Sequence, residues 1–186
     1  VVFDKTGTLT HGEMSLTDVV ALEPAPDGGQ LRGGGGSASG DDSDRETAVL
    51  RLAAAVERNS EHPLGRAIVE GAEERGINVP DATDFENVPG HGVKATVDGA
   101  APRAAKQSSG DREPDGATVL VGNRKLLADA GIDTAPAEDT MRRLESEGKT
   151  AMLVGRVPAG EDADDAGEVI GVVADADTVK PTAADA

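Results

Sequence analysis

The chain has 186 residues, and its 35 acidic side chains against 18 basic ones give a net charge of −17 at pH 7. This charge argues against nucleic-acid binding, because proteins that bind nucleic acids present a basic surface. The absence of cysteine excludes a disulfide framework and a thiolate metal site. The acidic balance is typical of proteins from a salt-rich cytoplasm, where molar salt shortens the Debye length to about 3 Å and screens self-repulsion.

The longest apolar run near the C-terminus, residues 169–174, is far too short to cross a bilayer. No secretory signal peptide is visible. The chain also begins with Val1, inside an apolar run, rather than with methionine. We therefore expect a soluble piece of a longer protein that makes no membrane contact of its own.

The first predicted element is a short apolar strand, residues 1–3, that leads directly into Asp4, Lys5 and a turn at Gly7. A carboxylate at the tip of a buried strand, followed by a glycine turn, is an exposed nucleophile rather than a packing residue. It can attack a phosphoryl group and hold it as an aspartyl-phosphate. Lys5 supplies positive charge, and the backbone N–H groups freed by Gly7 can cradle phosphate oxygens.

The next stretch of the chain predicts a strand and two helices. The strand is 14–22, and the residues at 24–44, rich in Gly, Ser and Asp, predict a long flexible insertion. Apolar residues at helical spacing predict a helix over 45–58. A second helix begins after Pro63 and ends at Gly76.

The rest of the chain predicts five strands, 84–89, 93–97, 118–121, 150–157 and 168–174, and two helices, 123–130 and 137–147. A turn at 98–99, a polar segment at 100–116 and an exposed acidic connection at 158–167 separate them. The strands outnumber the helices and several are joined as hairpins. The predicted fold class is therefore α+β, an antiparallel sheet of about six strands flanked by helices.

The hexapeptide Ser-Glu-His-Pro-Leu-Gly at 60–65 is a candidate ligand-binding motif. Pro63 suits the first position of a helix, so His62 sits at the helix entrance. An imidazole there can stack on a purine, and the Glu61 carboxylate can accept a hydrogen bond from the amino group of adenine. The alternative is a helix cap with a bystander histidine.

Two further motifs are weak by themselves. In Gly90-His91-Gly92, two glycines let the backbone approach a ligand closely, although an ordinary turn has the same composition. In Gly-Asn-Arg at 122–124, Asn123 either caps a helix or hydrogen-bonds a ribose or an adenine edge.

Taken together, these motifs resemble the heavy-metal P-type ATPases. The string Asp-Lys-Thr-Gly-Thr-Leu-Thr at 4–10 resembles their phosphorylation motif, and the other three motifs occur in the same order and spacing in their nucleotide-binding domain. The resemblance runs from Asp4 to Pro181, apart from three polar insertions. It implies that five residues surround the adenosine part of ATP, namely Glu61, His62, Gly90, Gly92 and Asn123.

The resemblance also implies a reaction and its partners. Asp4 would accept the γ-phosphoryl group, Mg²⁺ would be held by Asp4 and the carbonyl of Thr6, and Lys5 and Thr8 would hold the loop and the phosphate. The partners would be ATP and the phosphorylation, actuator and transmembrane domains of the same pump, at the cytoplasmic face of the cell membrane. Glu61 before His-Pro and Leu-Gly after it favour a copper pump over a zinc or cadmium pump.

The expected domain organisation is the start of a phosphorylation domain at 1–10, a nucleotide-binding domain at 11–172 and a return segment at 173–186. We expect the chain alone to bind ATP with little or no turnover. Two alternatives are a haloacid-dehalogenase-like phosphatase and a non-catalytic nucleotide-binding module. Such phosphatases usually place a second aspartate two residues after the first, where this chain has Thr6.

Overall fold

A computed structural model describes residues 10–22, 38–98, 116–158 and 167–179. The predicted phosphorylation loop, with Asp4, Lys5, Thr6 and Thr8, lies outside these residues. So do Gly99 of the predicted turn and most of the predicted polar insertions.

Six strands and four helices lie in the described ranges. The strands are β1 (Thr10–Ala21), β2 (Ala82–Val88), β3 (Gly92–Asp98), β4 (Gly116–Gly122), β5 (Thr150–Pro158) and β6 (Glu168–Val179). The helices are α1 (Ala38–Glu57), α2 (Pro63–Glu74), α3 (Arg124–Asp129) and α4 (Glu138–Ser146), the last preceded by a 3₁₀ turn at Ala135–Ala137. None of the helices in these ranges is long and apolar enough to cross a membrane.

All six strands form one sheet in the order β1-β6-β5-β4-β3-β2, and every neighbouring pair is antiparallel. The predicted α+β class and strand number are confirmed. The two terminal strands lie side by side, with Thr10 opposite Val179. The described chain therefore enters and leaves the sheet at one place.

Helices cover both faces of the sheet. One apolar cluster packs α1 and α2 against one face, where β3 contributes the alternating residues Val93, Ala95 and Val97. A second cluster packs α3 and α4 against the opposite face, around Leu127 and Leu144. Apolar surface is thus removed from water on both sides of the central strands, which stabilises the domain.

Three predicted boundaries are wrong. The first strand was predicted to begin at 14 but begins at Thr10, which pairs with Val179 of β6. Residues 38–44 were assigned to an insertion but form the start of α1, where the Thr47 hydroxyl donates to the Ser43 carbonyl at 2.8 Å, one helical turn back. Their Ser, Gly and Asp composition is that of a loop, but Asp42 forms an ion pair with Arg45, one helical turn later, at 4.0 Å, and such i,i+3 pairs support a helix. The last strand continues five residues beyond 174, because antiparallel pairing with β1 extends it to Val179.

Candidate functional site

His62 caps the N-terminus of α2. Its backbone is extended (φ −72°, ψ 137°), and its Nδ1 accepts a hydrogen bond from the backbone N–H of Leu64 at 3.2 Å. Because Nδ1 is the acceptor, the neutral ring carries its proton on Nε2. The side chain is exposed, so the free edge of the imidazole faces solvent at the helix entrance.

The turn between β2 and β3 requires its glycines. Gly90 has φ 75° and Gly92 has φ 140°, both in the left-handed region that favours glycine. A Cβ atom on Gly92 would lie 2.1 Å from the carbonyl oxygen of Val121 in β4. Gly122 is restricted in the same way, since its Cβ would lie 2.2 Å from the carbonyl oxygen of His91. The two strands therefore approach each other closely beneath the turn.

Asn123 links this turn to α3. Its Oδ1 accepts from the backbone N–H of Leu126 at 3.1 Å, which makes it the N-cap of α3. Its Nδ2 donates to the carbonyl of Gly90 at 3.1 Å, and its backbone N–H donates to the carbonyl of His91 at 2.8 Å. The helix cap expected as one alternative is therefore present, and the same side chain also holds the glycine turn.

These elements surround one cleft of about 560 Å³, formed by the end of α1, the start of α2, the β2–β3 turn, the start of α3 and the start of β5. All five residues predicted to surround the adenosine line it, namely Glu61, His62, Gly90, Gly92 and Asn123. They come from three separate parts of the sequence. The other predicted site residues, Asp4, Lys5, Thr6 and Thr8, lie outside the described residues.

Glu57, the last residue of α1, also lines the cleft and was missed by the sequence reasoning. It is only 3% exposed, and its Oε2 has no hydrogen-bond partner among the described residues. Burial raises the pKa of its carboxyl, and a hydrogen bond with Ser60 offsets only part of this effect. A Cβ atom on Gly65 would lie 2.4 Å from Oε2, so the glycine makes room for the carboxylate.

A signal for Glu57 was available in the sequence. It follows Ala53 by four residues, on the same face of α1 as the apolar residues that were predicted to be its core face. A charged residue in that position is rarely buried without a partner or a function. Glu61, by contrast, is exposed.

The cleft is suited to an uncharged aromatic ligand group. Its described lining includes two imidazoles and the apolar side chains of Val88, Val93 and Met152, but no lysine or arginine. The ring of His91 is fixed by its Nδ1, which donates to the carbonyl of Pro89 at 2.8 Å. Without a cation, the cleft offers a base a stacking surface and hydrogen-bond partners, but it offers a polyphosphate little attraction. The described residues contain no cluster of three or more acidic, histidine or cysteine side chains that could hold a metal ion.

A profile of haloacid dehalogenase-like hydrolases matches residues 1–186. The chain belongs to this hydrolase family. The match includes the segment that carries Asp4.

Curated relatives of this haloacid dehalogenase-like chain are named as copper-exporting or copper-transporting P-type ATPases. The probable copper-exporting P-type ATPase V of Mycobacterium tuberculosis is 41% identical over 187 residues, which covers 100% of this chain and 18% of that protein. The copper-transporting P-type ATPase of Rhizobium leguminosarum bv. viciae is 38% identical over 184 residues, covering 99% of this chain and 16% of that protein. These similarities confirm the resemblance, although the chain spans less than a fifth of the length of these relatives.

Solved structures of metal-transporting P-type ATPases share the fold. A zinc-transporting PIB-type ATPase in its E2.Pi state matches 98% of this haloacid dehalogenase-like chain and 22% of its own, with a TM-score of 0.61 and 29% identity. The N-domain of HMA6, a copper-transporting P-type ATPase, matches 88% of this chain and 99% of its own, with a TM-score of 0.51 and 22% identity. The second similarity shows that the fold is that of an N-domain.

Proposed function

We propose that this chain is the ATP-binding part of a metal-exporting P-type ATPase, which couples ATP hydrolysis through an aspartyl-phosphate to ion transport. The observation that supports this most strongly is the cleft. Three motifs that are ambiguous separately converge on one cavity, and the fold adds a buried carboxylate to them. A coincidental helix cap and a coincidental turn would have no reason to share one cavity.

We propose a separate role in ATP binding for each of these residues of the cleft. His62, at the mouth, stacks on the purine, and the buried Glu57 accepts a hydrogen bond from its amino group. Glu57 is the better candidate than the exposed Glu61 because its free oxygen is already out of water, where a hydrogen bond contributes more. Gly90 and Gly92 let the backbone approach the sugar, and Asn123 keeps them in place. The triphosphate extends away from this lining, which holds two carboxyl groups and no lysine or arginine among the described residues.

The chemical step is assigned by resemblance. Asp4 would attack the γ-phosphorus of ATP in line and form the aspartyl-phosphate, while the bond to the bridging oxygen of the β-phosphate breaks and ADP leaves. Mg²⁺ would be held by the carboxylate of Asp4 and by the carbonyl of Thr6, and Lys5 and Thr8 would hold the loop and the phosphate. Residues 1–10 and 173–186 would belong to the phosphorylation domain and 11–172 to the nucleotide-binding domain. A closing motion must then bring the nucleotide to Asp4.

Copper is the proposed cargo, since the relatives described above are named as copper pumps. The proposed partners are ATP and the remaining domains of the pump, on the cytoplasmic face of the membrane. A net charge of −17 repels a polyanion, so we propose that high salt favours ATP binding here, the reverse of its effect on a basic nucleotide site.

Calorimetric titration with ATP in molar KCl tests the site. Loss of a base-stacking contact costs about 1–3 kcal/mol in proteins that bind single-stranded nucleic acids, so His62→Ala should raise Kd roughly 5- to 150-fold. Glu70→Ala is the matched control, because Glu70 is exposed on the same helix and does not line the cleft. Equal affinity of wild type and His62→Ala would remove His62 from the site.

The two alternatives differ in turnover. A haloacid-dehalogenase-like phosphatase would hydrolyse a small phosphate ester such as para-nitrophenyl phosphate, and Asp4→Asn would abolish that activity. For the ATP-binding part of a pump we expect ATP binding with no more than traces of either activity. A non-catalytic module would bind ATP equally well but would not form a phosphorylated Asp4 when joined to the remaining pump domains.

A further inference from the structure

The helix that carries the Asn123 cap is too short to hold its own orientation. α3 has six residues, and isolated helices of that length are not stable in water. Leu126 and Leu127 anchor one side of it in the core, at 5% and 0% exposure. Its first turn, next to the cleft, needs a further support.

Arg124, the first residue of α3, supplies that support from outside the cleft. Its Nε donates to Oε1 of Glu138 at 2.8 Å, at the start of α4. Its Nη1 and Nη2 donate to the two oxygens of Glu145 at 2.8 and 3.3 Å, near the end of α4. A guanidinium that engages two carboxylates in this way fixes direction as well as distance, which a lysine cannot do.

We propose that Arg124 is a positioning residue for the nucleotide cleft, acting through Asn123. The hydrogen bonds from Arg124 to Glu138 and Glu145 of α4, called the fork below, fix the first turn of α3. This helical turn fixes the Asn123 side chain, and Asn123 in turn holds the carbonyl of Gly90. Arg124 itself does not line the cleft. This inference rests on the proposed function, and it adds the parts of the molecule that keep the glycine turn in its binding geometry.

An effect of Arg124 through its charge alone and an effect through positioning predict opposite changes in ATP affinity when Glu145 is neutralised. Removing the positive charge of Arg124 would weaken ATP binding on either account. Removing the negative charge of Glu145 should strengthen ATP binding if only charge matters, because the ligand is a polyanion. If the fork matters, Glu145→Gln weakens binding.

The experiment compares Arg124→Gln, Arg124→Lys, Glu145→Gln and Lys125→Gln by ATP titration in molar KCl and in about 0.1 M KCl, where charge effects are less screened. Lys125→Gln is the matched control. It removes the same charge from the same helix, but among the described residues the Nζ of Lys125 pairs only with Asp129 of α3, at 2.6 Å. Nuclear magnetic resonance follows the amide signals of Gly90 and Gly92 in the nucleotide-free proteins. Urea unfolding identifies any variant that has lost its fold.

We expect Arg124→Gln and Glu145→Gln each to raise Kd about five- to tenfold, because loosening a preorganised site adds an ordering cost to binding. Their Gly90 and Gly92 signals should shift without ligand, Arg124→Lys should recover part of both effects, and Lys125→Gln should change neither. Unchanged glycine signals, or tighter ATP binding by Glu145→Gln, would overturn the inference. If wild type binds ATP, His62→Ala does not, and the Arg124 and Glu145 variants bind as wild type does, only the positioning role of Arg124 is overturned. If wild type does not bind ATP, the proposed function itself is overturned.

Discussion

The side-chain amide of Asn123 donates to the backbone carbonyl of Gly90 at 3.1 Å and joins two segments that are 33 residues apart. The oxygen of the same amide caps α3. One side chain thus satisfies a helix N-terminus and holds the turn that borders the cleft, and the two tasks can be separated by mutation.

Asn123→Asp should separate them. Aspartate keeps the acceptor that caps α3 but loses the donor to Gly90, so stability to urea should be nearly unchanged while ATP affinity falls. Asn123→Ala loses both functions, and the missing cap should cost about 1 kcal/mol of stability. Equal ATP affinity of Asn123→Asp and wild type would show that the hydrogen bond to Gly90 has no part in binding.

Gly92→Ala should damage the protein far more than a glycine substitution in an open turn. The new Cβ would meet the Val121 carbonyl at 2.1 Å, and the backbone at φ 140° is strained for alanine. Gly148→Ala is the control, since it has φ 77° and nothing within 4 Å of the new atom. We expect about 1 kcal/mol of destabilisation for Gly148→Ala, the ordinary backbone cost, and a much larger loss, with loss of ATP binding, for Gly92→Ala.

Glu57→Gln tests the carboxylate at the buried end of the cleft. If the carboxylate accepts from the amino group of adenine, the variant should discriminate less between ATP and inosine triphosphate, which carries a carbonyl at that position. Glu61→Gln, on the exposed rim, should keep the wild-type ratio. The measurement is the ratio of the two dissociation constants. A ratio altered by Glu61→Gln and not by Glu57→Gln would reverse the assignment.

Asp175 predicts the pH dependence of stability. It is fully buried in β6 between Leu16 and Thr150, and no other described residue hydrogen-bonds its carboxylate. Burial raises the pKa of its carboxyl from 3.8 to about 6. The folded state therefore binds the proton more tightly than the unfolded state, so its contribution to stability is present below pH 4 and is lost as the pH rises through 6.

At about 1.36 kcal/mol per pKa unit, this loss is on the order of 3 kcal/mol. Asp175→Asn should remove that part of the pH dependence. Its melting temperature should exceed that of wild type by more at pH 8 than at pH 5. Asp139→Asn, at an exposed position of α4, is the control. A wild-type slope retained in Asp175→Asn would assign the effect to another group, for which Glu57 is the first candidate because burial raises its pKa as well.

The spacing of apolar residues predicted a strand or helix well where that spacing matches the face that the element buries. The alternation of Val93, Ala95 and Val97 predicted β3 correctly because its one buried face is apolar. The same approach ended β6 at residue 174, because Asp175 breaks the apolar run. Its extension depends on pairing with β1, about 160 residues earlier in the chain, which no local window contains.

For the site, the motifs and the resemblance predicted which residues belong together, and the fold brings all five of them to one cleft. They did not predict Glu57, whose importance depends on the close approach of Gly65 in the neighbouring helix. The helix cap by Asn123 was one of the expected alternatives, but its second hydrogen bond, to the carbonyl of Gly90, was not predicted. Both facts depend on tertiary contacts between segments that are not adjacent in sequence.

Neighbouring terminal strands also have a mechanical consequence. Force applied through residues 10 and 179 would reach the β1–β6 ladder at its end, where the hydrogen bonds open one after another and do not share the load. The remaining four strands and both helical layers would carry none of that load at first. A body attached in this way can swing as a unit about its paired strands while the cleft, formed elsewhere, keeps its shape.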